Sequence, residues 1–246
     1  MKKTLIALMA LAGVAVADST LPSPAYTIPS ASTTAVDISS YITGGAFTVA
    51  VTLDYDMVKD YLLKDSNKPN GEQDHINYQL INVGSGSTMS EGTRVGLVVC
   101  YSSGSYIRGT WNESTWQNCD NGGAHTMGIE QNACDDFSWD KGSSASLVMT
   151  YSNEKGLAAV FTIADTDGKI LNQIGGTFHD CASNPDNFDP NTMQLDAAVL
   201  SADVYNAVLT GDQAKELGAS MLVPEPTTAT LSLLALAGLA ARRRRK

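Results

Sequence analysis

Between Ser146 and Ile174 the chain reads SLVMTYSNEKGLAAVFTIADTDGKILNQI. Three apolar runs, Ser146 to Tyr151, Leu157 to Ala164 and Lys169 to Ile174, are separated by Asn153-Glu154-Lys155-Gly156 and Asp165-Thr166-Asp167-Gly168. Asp-Gly between apolar runs is a strong hairpin signal, so three consecutive antiparallel strands are expected here.

The same pattern extends outward. Phe47 to Leu53 alternates large apolar with small or polar residues, the two-residue period of a half-buried strand. Tyr78 to Val83 ends at Gly84-Ser85-Gly86, Thr93 to Tyr101 ends at Ser102-Ser103-Gly104-Ser105, and Tyr106 to Trp111 reads as the return arm of that hairpin. Gln194 to Val204 reads as one final strand. Two short helices are expected: Asp56 to Leu63, with Met57, Val58, Tyr61 and Leu62 on one face, and Asp212 to Leu217. Short strands spaced by turns, with few helices, predict an all-β sandwich of two antiparallel sheets over residues 41–218. Residues 18–40, rich in Ser, Thr, Pro and Ala, read as a linker or an extended leader strand. Residues 112–142 form an Asn-, Asp- and Gly-rich loop, long enough to be functional or disulfide-held.

Both ends carry targeting chemistry. Met1-Lys2-Lys3 precedes an apolar run from Leu5 to Val16 that is too short for a stable span, and Ala15 and Ala17 are small enough for a signal-peptidase pocket. This predicts a secretory signal over 1–17, cut between Ala17 and Asp18 by the export machinery. At the other end, Pro224-Glu225-Pro226 leads into an uncharged apolar stretch, Thr227 to Ala241, then Arg242, Arg243, Arg244, Arg245 and Lys246. Basic residues after an apolar helix keep that end in the cytoplasm. The stretch falls short of the roughly 20 residues a span needs, and counting from Met221 with snorkelling arginines brings it close.

With those ends set aside, residues 18–223 hold 9 basic and 25 acidic residues, a net charge of −16. Such a body repels phosphates, which argues against nucleic acid as a partner. Cys100, Cys119, Cys134 and Cys181 sit in an exported body, where disulfides form, and four cysteines allow three pairings. Cys119 and Cys134 flank the Gly/Asn-rich loop, and closing about 15 residues stabilises by about 3 kcal/mol. There is no Cys-x-x-Cys for zinc, and His179 lies too near Cys181 for a finger.

The tail, through Pro224-Glu225-Pro226, the Leu/Ala-rich helix and the Arg242 to Lys246 cluster, resembles the PEP-CTERM sorting signal of Gram-negative bacteria. That resemblance implies a membrane-embedded exosortase as partner and display at the cell surface or beyond. From Trp139 onward the body resembles the laminin-G-like, concanavalin-type jelly roll. The matching features are the strand Ser146 to Tyr151, the turn Asp167-Gly168-Lys169 and the closing Val204-Tyr205-Asn206-Ala207-Val208-Leu209-Thr210-Gly211-Asp212-Gln213. Thr210 is placed to cap the last helix.

Catalytic signals are sparse. Glu-x-Asp-x-x-Glu is absent, and the closest carboxylate pair is Asp54 with Asp56, at a strand end where Asp commonly terminates a strand. Gly84-Ser85-Gly86 and Gly142-Ser143-Ser144 lack the strand–turn–helix context of a serine nucleophile, and His75, His125 and His179 share no spacing. Asp165-x-Asp167-Gly168 reads as a turn rather than a Ca²⁺ loop, because no downstream Glu follows. Asp180, Asp186, Asn187 and Asp189 cluster in one loop as hard oxygen donors suited to Ca²⁺, with a solvated acidic loop as the alternative. Trp111, Trp116 and Trp139 flank or lie in the loop 112–142, with Tyr106 nearby, and aromatic faces beside Asn and Asp suit sugar rings. Trp111 and Trp139 could equally be core aromatics at strand ends. The sequence thus points to an exported, surface-associated, non-catalytic binding module, for glycans. A structural or adhesive envelope component and a glycoside hydrolase with an unrecognised site are the rival classes.

Overall fold

The computed structural model describes residues 21–29, 34–43, 46–63, 76–84, 95–101, 105–111, 125–128, 141–152, 154–178 and 192–223. The signal segment, the sorting tail, Trp116, Trp139, Cys119, Cys134, Cys181 and the loop from Asp180 to Asp189 lie outside them.

The three-strand stretch from Ser146 to Ile174 forms one end of the first sheet. Strands β8 (Ser144–Ser152), β9 (Gly156–Ala164) and β10 (Ile170–Gly175) run antiparallel in succession. The turn into β10 closes as expected: Asp165 Oδ1 accepts the N–H groups of Asp167 (3.0 Å) and Lys169 (2.9 Å), and Gly168 takes φ +77°. Those bonds make Asp165 a turn former. Strand β3 (Phe47–Leu53) pairs with β8 on its other side. Strands β1 (Tyr26–Ile28) and β12 (Val199–Tyr205) complete the order β1-β12-β3-β8-β9-β10.

The second sheet has the order β2-β11-β4-β5-β6-β7, built from β2 (Val36–Asp37), β4 (Ile76–Val83), β5 (Val95–Tyr101), β6 (Ser105–Trp111), β7 (His125–Gly128) and β11 (Thr192–Leu195). All recorded strand pairs in both sheets are antiparallel. Phe47, Val49, Val51, Leu147, Met149 and Phe161 from the first sheet share one core with Ile81, Val83, Met193 and Leu195 from the second. This is the expected all-β sandwich.

Two segments differ from the sequence reading. Gln194 to Val204 is not one strand: β11 lies in the second sheet and β12 in the first. The break is at Asp196, whose carboxylate accepts the Ala198 N–H (2.8 Å), while the Val199 N–H bonds the Asp196 carbonyl. A side chain that satisfies the backbone of the next two residues favours a turn over a continuous strand. The segment 112–142 is not loop throughout, since β7 lies within it, while of the two readings of 18–40 the leader strand holds: β1 and β2 add an edge strand to each sheet.

The helices fall where the pattern put them. α1 (Tyr55–Leu63) starts from Asp54, whose Oδ1 accepts the Met57 N–H at 3.1 Å, an N-cap contact. α2 (Gly211–Ser220) carries a full capping box: Thr210 Oγ1 accepts the Gln213 N–H, and Gln213 Oε1 accepts the Thr210 N–H. No helix among the described residues is long and apolar enough to cross a membrane.

Candidate functional site

The two sheets use their outward faces differently. On the first sheet, small and hydroxyl residues face outward and α2 lies against them, with Val148, Val160, Ala214 and Leu217 forming a second apolar cluster. Thr48 Oγ1 reaches the Ala207 carbonyl (2.8 Å), Ser146 Oγ donates to the Gly218 carbonyl (2.7 Å), and Gln173 Nε2 bonds both Thr162 Oγ1 (2.9 Å) and the Lys215 carbonyl (2.8 Å). A Cβ on Gly218 would stand 2.9 Å from Thr162 Oγ1, so glycine is what lets the helix approach this closely. This face is occupied by the protein itself.

The second sheet is read from its register, because directly paired residues share a face. Val36, Met193, Val83, Val95, Trp111 and His125 form one rung, and Met193 and Val83 belong to the core. Trp111 therefore occupies an inward-facing position. The opposite face carries the rung Gln194, Asn82, Gly96, Thr110, Thr126. The next rungs on that face add Gln79, Val98 and Arg108, then Asn77, Cys100 and Tyr106. Tyr106 and Trp111, expected together in one aromatic patch, lie five positions apart in an unbroken register and so on opposite faces.

The outward face of the second sheet thus combines amide, hydroxyl, phenol and guanidinium residue types. Arg108 is the one Lys or Arg within the described strands. Asn82 is buried at 4%, and its Oδ1 has no hydrogen-bond partner. An unmet buried amide oxygen costs about 1–3 kcal/mol, and Gln194 on the same rung is buried as well, so the sheet is covered at this point. The sequence did hold a signal for this face, the alternation of Asn77 with Gln79 and of Tyr106 with Arg108 and Thr110. Only the register joins those polar positions into one surface.

The carboxylate pair reads differently in three dimensions. The chain leaves β3 for α1 at Asp54, so Asp54 and Asp56 do not share one face of an extended strand, and Asp54 is engaged in capping. Both line a cleft of about 430 Å³ at one end of the first sheet, together with Thr52, Ser143, Leu200 and Met221 to Val223. No group of three or more His, Cys, Asp or Glu that could hold a metal occurs among the described residues. Two pKa shifts stand out. Burial, then the nearby Asp203 carboxylate, pushes the Tyr205 phenol up to about 12. Hydrogen bonds from the Ser39 hydroxyl and N–H hold Asp37 below its usual range.

The start of the tail is part of the body. Met221 and Leu222 donate their N–H groups to Leu217 and Ala219 carbonyls (both 3.1 Å), Leu222 is buried, and Val223 is exposed. Met221 and Leu222 are therefore held by the fold and do not lengthen the apolar stretch that begins at Thr227, as counting from Met221 had assumed.

Residues 222–246 match the family described as the PEP-CTERM protein-sorting motif. No curated protein matches the sequence. Among solved structures, the chain is similar to the CBM40 module of a Ruminococcus gnavus IT-sialidase, with 11% identity and a TM-score of 0.39 over 79% of this chain and 99% of that one. The same module bound to α2,3-sialyllactose gives 10% identity and a TM-score of 0.38, over the same shares of the two chains. A leech intramolecular trans-sialidase gives 10% identity and a TM-score of 0.36, over 81% of this chain and 28% of that one. Likeness at this level carries no ligand or activity to the present chain, whereas the sorting motif is a match of sequence over a defined segment.

Proposed function

We propose that this chain is an exported envelope protein, freed of residues 1–17, held in the membrane by the apolar stretch 227–241 and passed on by an exosortase. On this reading its sandwich, of the laminin-G-like kind, is a non-catalytic module that binds glycans. The observation that carries the binding role is the polar outward face of the second sheet, set against a first sheet whose outward face is filled by α2. Amides and hydroxyls in adjacent rungs match the paired hydroxyls of a sugar ring, since each offers a donor and an acceptor. Tyr106 belongs to this face by register, and Trp116 is the aromatic we propose to stack on the sugar. Trp111 takes the opposite register position, on the rung of Val83.

A glycan array probed with residues 18–223, with and without Ca²⁺, tests this directly, and the Ca²⁺ arm reports on the loop Asp180, Asp186, Asn187, Asp189. Tyr106→Ala and Trp116→Ala should weaken binding severalfold with little change in melting temperature. Trp139→Ala should instead destabilise by about 3–5 kcal/mol if that residue is a core aromatic. A demonstrated affinity left unchanged by Tyr106→Ala and Trp116→Ala removes this face as the site.

A further inference from the structure

Among the described residues two large apolar side chains are exposed, Leu200 at 52% and Val223 at 58%, and both line the same cleft. Leu200 sits at the register shift of β12, between Val199 and Ser201, so it is the bulge residue left out of the pairing with β3. Val223 is the last described residue, directly before the Pro-Glu-Pro of the sorting tail. Only Pro224, Glu225 and Pro226 separate it from Thr227, the first residue of the apolar stretch. Four peptide links at full extension reach about 14 Å, so the exit point cannot stand far from whatever holds residue 227. The stretch 227–241 is itself short: as a helix it is about 22 Å long, against a hydrocarbon core of about 30 Å. Because Met221 and Leu222 are packed into the body, they cannot extend it without peeling the end of α2 from the fold. A short span thins the bilayer around it and draws its flanking groups into the interface. Here the flanking group is the folded body.

We infer that the cleft end of the sandwich is the membrane-facing pole of the anchored protein, with Leu200 and Val223 seated in the interfacial layer of the bilayer. This rests on the reading of 227–241 as a membrane anchor. Asp54 and Asp56 at the same cleft would be repelled by strongly anionic lipid, so the fitting surface is a zwitterionic headgroup layer. The turn between β8 and β9, at Glu154, lies at the other end of the first sheet, because Ser152 pairs with Gly156 there while Ser144 pairs with Ala164 at the cleft end.

The test uses the chain from Asp18 to Lys246 in vesicles of phosphatidylcholine and phosphatidylethanolamine. A photo-crosslinking leucine analogue replaces either Leu200 or Glu154, both at the surface. Position 200 should crosslink to lipid well above position 154. Inserting twenty Gly/Ser residues between Val223 and Pro224 should cut crosslinking at 200 about tenfold, as the effective concentration of a tethered surface falls with linker length. Equal crosslinking at 200 and 154 in vesicles that carry the protein overturns the inference and leaves the anchor standing. If the protein does not float with the vesicles, the anchor reading fails and the inference fails with it.

Discussion

Thr150→Val tests the attachment of α2, and through it the point from which the sorting tail departs. Thr150 Oγ1 accepts the Leu209 N–H at 3.1 Å in a fully buried setting, and Thr48 Oγ1 lies 2.9 Å from it. Valine is close to threonine in shape, so no cavity forms and the cost is that of the lost acceptor. A buried N–H without an acceptor costs about 1–3 kcal/mol. Thr48 Oγ1 stands 3.4 Å from the same N–H and takes part of the load, which holds the single substitution near about 1 kcal/mol. Thr48→Val instead strips the Ala207 carbonyl of its donor at 2.8 Å, for a similar loss. In the double variant the Leu209 N–H has neither acceptor, so its loss should exceed the sum of the singles by about 0.5–1 kcal/mol. For a body of this size 1 kcal/mol lowers the melting temperature by about 2–4 °C, giving about 3 °C for each single and about 8 °C for the double. Urea titration of residues 18–223 measures the three variants. Strict additivity, or a Thr150→Val protein as stable as the parent, refutes the hydroxyl attachment.

Three further outcomes follow from single features. A Cβ on Gly211 would run into the backbone carbonyl of Gly176, which sits at φ +101° and cannot easily yield, so Gly211→Ala should cost about 1–3 kcal/mol in a thermal melt. Tyr205 has a folded pKa of about 12 against an ordinary value of 10.0, so its contribution is complete below pH 10 and is lost as pH rises towards 12. An ultraviolet titration should show that late phenolate step, absent in Tyr205→Phe and shifted downward in Asp203→Asn. Thiol titration of the denatured, unreduced protein should find fewer than four free thiols, and four would show that Cys100, Cys119, Cys134 and Cys181 make no bridge.

How far the sequence reveals the fold depends on how local the deciding force is. The β8–β9–β10 meander was legible because Asp165 and Gly168 write the turn into their own residues. Both helices were legible for the same reason, with Asp54 and Thr210 as caps whose partners lie three residues away. The β11–β12 break is less legible: Asp196 turns the chain locally, but Ala197-Ala198-Val199-Leu200 carries the apolar character straight on, and it takes long-range bonds, Asp196 N–H to the Leu80 carbonyl and Asp54 N–H to the Ala198 carbonyl, to hold the two halves in different sheets. The candidate site was only half legible. Residue types at Tyr106, Arg108 and Trp111 advertise binding, yet which of them shares a face with Asn82 is a property of strand pairing and is invisible in one strand alone.

The outward faces of the two sheets differ in what α2 requires of them. A sandwich has two outward faces, and a helix laid on one must bury its apolar stripe there. The first sheet accepts α2 because the Ser146 hydroxyl bonds the Gly218 carbonyl, the Thr150 hydroxyl holds the Leu209 N–H just before the helix, and Gly218 permits the close approach to Thr162. Once α2 is docked, its end at Met221 and Leu222 fixes the exit of the tail beside β3 and β12. Any ligand surface on that sheet would compete with the helix, and losing the helix would release the tail. The outward rungs of the second sheet instead carry Asn77, Gln79, Arg108 and Tyr106, alongside Asn82 and Gln194, which are buried. On this argument a substitution on the second sheet's outward face should change binding without altering processing of the tail. A substitution beneath α2, such as Thr48→Val with Thr150→Val, should do the reverse.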